Sequence, residues 1–108
     1  MSKRLDQLLE YEKGDPNDPF IQFALSKEHE KLGQNADALA RYLKLRAEHP
    51  DYIGLYYHLG QLYETIGDRQ NALSIYAEGL ELAKSSKDFH AASELNNVKM
   101  NLELEIGN

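Results

Sequence analysis

The chain has 108 residues, 42% of them apolar and 28% charged, which suits one folded domain and leaves no room for a separate catalytic one. Twelve Lys and Arg against eighteen Asp and Glu give a formal charge of −6 with no basic run. That makes nucleic acid and anionic lipid poor partners, because both are bound through clustered cations. There is no cysteine to form a disulfide or a thiolate ligand. No stretch approaches the roughly 20 apolar residues of a membrane span, and Lys3-Arg4 is not followed by the apolar run of a secretory signal, so a cytoplasmic location is expected.

Apolar residues three and four apart mark one face of a helix, and that spacing predicts six helices near 2–13, 19–32, 36–48, 52–66, 70–85 and 89–105. The first carries Leu5, Leu8 and Leu9. A shift of 34 residues lays these on Leu39, Tyr42 and Leu43, and Pro16 on Pro50, so this helix reads as the second half of a repeat, residues 2–17. The second is expected to open at Asp18-Pro19, an aspartate accepting from free amides with proline in the first turn. It closes at Gly33, where glycine can turn left-handed without a steric penalty. The third stops before Pro50, and Asp51 is read as the start of the fourth.

In the fourth helix Ile53, Tyr56, Leu59, Gly60, Tyr63 and Ile66 form the apolar stripe. After a break at Gly67-Asp68, Ala72, Leu73, Tyr76, Leu80 and Ala83 form that of the fifth. The same shift matches Leu25 to Leu59, Ser26 to Gly60, Leu32 to Ile66, Gly33 to Gly67, Ala38-Leu39 to Ala72-Leu73 and Tyr42 to Tyr76. Full repeats thus span 19–52 and 53–86. Lys84 stands where Pro50 stood, so the fifth helix is expected to continue to about Ser85. The sixth, with Ala92, Leu95, Val98 and Leu102, reads as the first helix of a third repeat, a terminal half repeat over 88–106 reached through a longer connection. Leu95, Val98 and Leu102 are expected to face the fifth helix, with Met100 and Leu104 on another face.

Tyr56-x-x-Leu59-Gly60-x-x-Tyr63, followed by Gly67, Ala72 and Tyr76, resembles the tetratricopeptide repeat, and the resemblance runs over essentially the whole chain. It implies an all-α fold, a right-handed α-solenoid of antiparallel helix hairpins with about six helices. Gly60 and Ala72 are small where paired helices approach closely, and Tyr56, Tyr63 and Tyr76 fill the space around them. The first repeat departs from the pattern, with Gln22 in place of a large aromatic and His29 in place of tyrosine. Phe20, Ile21 and Phe23 are expected to supply that packing.

Enzyme signatures are absent: there is no glycine-rich phosphate loop, no Gly-x-Ser-x-Gly elbow and no thiol nucleophile. His29-Glu30 begins like a zinc-protease motif, but Gly33 stands where the second histidine would be, so His29 reads as a core position. His49, His58 and His90 share no ligand spacing. Glu28, Glu30, Glu64 and Glu81 read as a solvated face. No catalysis, cofactor or metal is expected. The resemblance implies that the first helix of each pair lines an inner wall that holds a peptide or protein segment, as an adaptor or scaffold does. On this sequence the wall comprises Phe23, Lys27, Glu30, Tyr57, His58, Gln61, Glu64, Asn97 and Met100. Members that clamp a chaperone's terminal carboxylate use positions occupied here by Phe23, Lys27, His58, Ser93 and Asn97, which carry one formal positive charge, too few for that ligand. The alternative expectation is self-assembly, a homodimer formed through the C-terminal helix.

Overall fold

A computed structural model describes residues 2–107 and contains, among them, six α-helices and no strand. These are α1 (Lys3–Gly14), α2 (Pro19–Lys31), α3 (Asn35–Glu48), α4 (Gly54–Thr65), α5 (Arg69–Ser85) and α6 (Phe89–Gly107). The all-α architecture follows the 3.6-residue periodicity. No helix among the described residues is long and apolar enough to cross a membrane. The helices form two compact units, Met1–Tyr52 and Ile53–Asn108.

In the first unit α2 packs between α1 and α3. Helix α1 starts under Ser2, whose hydroxyl accepts from the Leu5 amide at 3.1 Å. It docks through Leu8 onto Ala24 and Leu25, with Leu5, Leu9 and Ile21 at the margin. Asp18 caps α2 as its sequence predicts, accepting from the Phe20 amide at 2.8 Å. Gly33, at φ 76°, turns the chain into α3. Tyr42 is fully buried, and Ser26, which matches Gly60, tucks its hydroxyl against the Gln22 carbonyl at 2.9 Å.

The position that calls for an aromatic is filled in another way. Gln22 is 1% exposed and sits in a polar network. Its amide donates to Glu12 Oε2 at 2.8 Å and to the Pro16 carbonyl at 3.0 Å, and its oxygen accepts from Arg41 at 3.2 Å. Arg41 also donates to Glu12 at 2.7 Å. Phe20 therefore does not replace the missing ring; it is 64% exposed. Phe23 is half-buried, with ring centroids 6.4 Å from Tyr42 and 5.3 Å from Tyr52, and Ile21 is partly buried.

In the second unit α5 packs against both α4 and α6, and its core is built on rings opposed to small residues. A methyl added at Gly60 would run into the Tyr76 ring, and one at Gly79 into Tyr56 and Leu95, so both glycines permit close approach of helices. Tyr56, Tyr76, Leu59, Leu62 and Ala72 are almost wholly inaccessible. Gly67, at φ 84°, repeats the turn at Gly33.

Two sequence expectations about boundaries are corrected here. Asp51 does not start α4: the Tyr52 amide bonds to the His49 carbonyl at 3.0 Å, closing a turn, and the helix begins at Gly54 after an Ile53 that supplies no side-chain cap. Nor is α6 reached through a longer connection. Without a proline at Lys84, α5 continues to Ser85, and only Ser86, Lys87 and Asp88 separate it from α6. That turn copies the one after α4: Lys87, at φ 61°, holds the left-handed position of Gly67, and the Asp88 amide bonds to the Ala83 carbonyl at 2.9 Å. On α6, Leu95 and Leu102 are buried and Val98 is half-buried against α5, as expected, while Met100 and Leu104 are exposed.

Candidate functional site

The first helix of each pair presents one cleft, and each cleft lies within its own unit. Along α2, Phe20, Phe23, Lys27 and Lys31 follow at steps of three and four, so all four share a face. Docking of α1 beside that face adds Arg4 and closes a cleft of about 330 Å³ lined by these residues with Ala24 and Glu28. The Lys27 ammonium lies 5.3 Å from the centre of the Phe23 ring, where the ring's negative face attracts it.

Glu28 does not belong to a solvated face; it is 6% exposed, accepts from the Ser2 hydroxyl at 2.9 Å and faces Arg4 Nε at 3.9 Å. The burial of this charge is compensated by these two donors, which tie the start of α1 to α2.

The second cleft, about 300 Å³, is lined by Ile53, Gly54, Tyr57 and His58 at the start of α4 and by Ala91, Glu94 and Leu95 of α6. Tyr57 stands one repeat after Phe23, so equivalent ring-bearing positions open onto both clefts. The Tyr57 and His58 rings meet edge-on, 5.5 Å apart at 75°. Both Phe23 and Tyr57 are half-buried, each with part of the ring in contact and part accessible.

Glu30 and Glu64 have a different occupation. The Tyr42 hydroxyl donates to Glu30 at 2.6 Å and, one repeat later, the Tyr76 hydroxyl donates to Glu64 at 2.5 Å. Gln61 donates to the Tyr76 oxygen at 2.6 Å. Burial, then the bond to a carboxylate, pushes both phenols far above their usual range. Each repeat therefore pins its core tyrosine to a glutamate on the first helix, and these three predicted wall residues are tied down from beneath. Asn97 and Met100 are exposed on α6 and line neither cleft; the Met100 sulfur accepts from Asn96 at 3.4 Å.

Phe20, which the sequence assigned to core packing, and Lys31 lay outside the predicted wall, although their spacing from Phe23 and Lys27 on one helical stripe was legible. Arg4 was not, since only the docking of α1 brings it there, and Ala91 and Glu94 enter only through α6. His29 is 9% exposed and its Nδ1 shares a hydrogen bond with Gln34 Oε1 at 2.7 Å, consistent with a core position. Among the described residues no group of three or more His, Cys, Asp or Glu is placed to hold a metal ion.

No family model matches the chain, and no curated protein does. Solved structures do. A solution NMR structure of a tetratricopeptide repeat domain protein from Salinibacter ruber is 42% identical, covering 82% of this chain and 90% of that one, with a TM-score of 0.79. A crystal structure of a tetratricopeptide repeat domain protein from the same organism is 41% identical over 80% of this chain and 97% of that one, with a TM-score of 0.76. A Bordetella parapertussis protein covers 97% of this chain and 91% of its own at a TM-score of 0.84; at 24% identity it is similar in fold alone.

Proposed function

The chain belongs to the tetratricopeptide repeat family, and on that premise we propose that it is a non-catalytic protein-interaction module that holds a peptide or protein segment on the exposed faces of α2 and α4. One observation carries the reading: Phe23 and Tyr57, equivalent positions of successive repeats, each bring a half-accessible ring into a cleft beside polar or charged neighbours. Rings supply contact area with few rotatable bonds, and the Lys27 ammonium and His58 imidazole supply direction. The tyrosine–glutamate bonds behind these faces hold them rigid, which lowers the entropy lost on binding.

The test is affinity selection of a displayed random peptide library on this chain, followed by binding to a Tyr57→Ala, Lys27→Ala double variant. The variant should keep its helical circular dichroism and lose affinity about tenfold or more, because truncating an interface aromatic costs about 2 kcal/mol. A variant that unfolds would place these side chains in the core, and one that binds undiminished would place the site elsewhere.

A second reading rests on α6, where Phe89, Met100 and Leu104 are 74%, 50% and 64% exposed. Twofold pairing through this helix would cover Met100 and Leu104. Replacing both by glutamate should then turn a dimer into a folded monomer; a parent that sediments as a monomer contradicts the pairing.

A further inference from the structure

We propose that the cleft between α1 and α2 selects acidic peptide segments that carry an aliphatic or aromatic anchor. The inference deepens the reading of α2 as a binding face and rests on it.

The chain as a whole is acidic, at −6, yet three of its cations surround this one cleft. Arg4, Lys27 and Lys31 face a single carboxylate, Glu28, so three positive charges against one negative leave a surplus of two. Glu28 is also the least available of the four, buried against the Ser2 hydroxyl. Among the described residues neither Lys27 nor Lys31 is ion-paired; Lys27 has only the Phe23 ring beside its ammonium. These cations come from the start of α1 and from two turns of α2, and they share the cleft with Phe20, Phe23 and Ala24. A space of about 330 Å³ is at the small end of ligand pockets, enough for one anchoring side chain with flanking backbone.

The charge surplus chooses the sign of the partner. Carboxylates on either side of an apolar anchor would gain charge-assisted hydrogen bonds to the two lysines and Arg4, while a basic segment would meet like charges. The second unit does not make this choice. Its cleft is lined by Tyr57, His58 and Glu94 with no lysine or arginine, so the preference for acid belongs to the first unit.

The test uses the whole chain and three short fluorescein-labelled peptides, amidated at the C-terminus so that the label's charge is common to all three and they differ only in their side chains. One is rich in Glu and Asp around a central Leu-Phe; in the second the acids become lysines; in the third Leu-Phe becomes Ser-Ser. Fluorescence anisotropy should show the first binding about tenfold or more tighter than either of the others, with affinity falling as salt rises. A Lys27→Glu, Lys31→Glu variant, whose changes lie on exposed side chains, should stay helical, lose the acidic peptide by a similar factor and gain the lysine peptide.

Equal affinity for acidic and basic probes, or an unchanged affinity in the charge-reversed variant, would overturn the inference and leave the broader function standing. So would a dimer of the parent chain that the charge reversal dissolves, since a second copy would then own the cleft. Failure of all three probes also overturns it. The broader function fails separately, when library-selected peptides do not bind either.

Discussion

The interiors of the two repeats obtain one hairpin geometry by different chemistry. Where the second repeat buries Tyr56 opposite Gly79, the first has Gln22 and Leu45 at the matching positions, so a large–small pairing becomes one of middling sizes. Where the second has the apolar Ile75 and Leu62, the first has Arg41 and Glu28. The first repeat is thus held partly by hydrogen-bonded charges around Glu12 and Arg41, and the second almost wholly by packed rings and aliphatic groups. A repeat fold tolerates this exchange because it requires matched volume and satisfied polar atoms, and no buried side-chain nitrogen or oxygen among the described residues lacks a partner.

The comparison is broken most forcefully at its two matched positions. Tyr56→Ala should cost about 3–5 kcal/mol, the transfer term plus the cavity beside Gly79. Gln22→Ala should cost about 1–3 kcal/mol, the loss of hydrogen bonds in a network whose other members remain partly hydrated. Denaturant unfolding followed by amide hydrogen exchange in each unit checks both; equal costs would mean that the two interiors are energetically alike.

Next comes close approach. Gly60→Ala drives a methyl into the Tyr76 ring, which cannot swing aside while Glu64 and Gln61 hold its hydroxyl, and should cost about 1–3 kcal/mol. Its counterpart Ser26 already accommodates a side chain, so Ser26→Ala should cost under about 1 kcal/mol. A neutral Gly60→Ala would show that the ring can move and that the tyrosine–glutamate bond is not rigid.

Titration separates the units on one side only. The bond from Arg41, aided by Gln22, holds the Glu12 carboxyl below its usual value despite some burial. A lowered folded-state value stabilises the first unit above the ordinary carboxylate range and is lost as pH falls through that range, so α1 should loosen first in acid. At the alkaline end Tyr42 in the first unit and Tyr76 in the second are both raised, with the partly buried Tyr52 of the first unit raised as well, and the unfolded chain ionises them from about pH 10, so both units should lose stability above it. Exchange rates of α1 and α4 amides against pH provide the check, and simultaneous acid loosening would contradict the assignment to Glu12.

The smallest effect is a gain. Lys87 holds a left-handed conformation that Gly33 and Gly67 hold without a side chain. Lys87→Gly should therefore stabilise by about 0.5–1 kcal/mol, read as a higher melting temperature, whereas a loss would mean that the lysine side chain contributes to the turn.

What the sequence disclosed divides along physical lines. The helices, the glycine turns, Tyr42 and Tyr76 were legible because each depends on local periodicity or on a residue repeated one period away. Gln22 could be seen only as a departure: its partners Glu12 and Arg41 lie 10 and 19 residues off, on other helices, and no local pattern connects them. Asp51 misled because an aspartate after a proline is a good cap wherever the backbone opens, and here a turn at His49–Tyr52 delays the helix. Two lining residues of each candidate cleft were read from the sequence, Phe23 and Lys27 on α2 and Tyr57 and His58 on α4. Arg4, Ala91 and Glu94 depend on how a neighbouring helix docks.

The central claim, that the faces of α2 and α4 hold the partner, is tested most directly by titrating a library-selected peptide into isotope-labelled protein and following every backbone amide by NMR. The account predicts that the largest shift changes fall at Phe23 and Lys27, at Tyr57 and His58, or at both pairs, with α3 and α5 almost silent. Changes concentrated on α3 or α5 would contradict it.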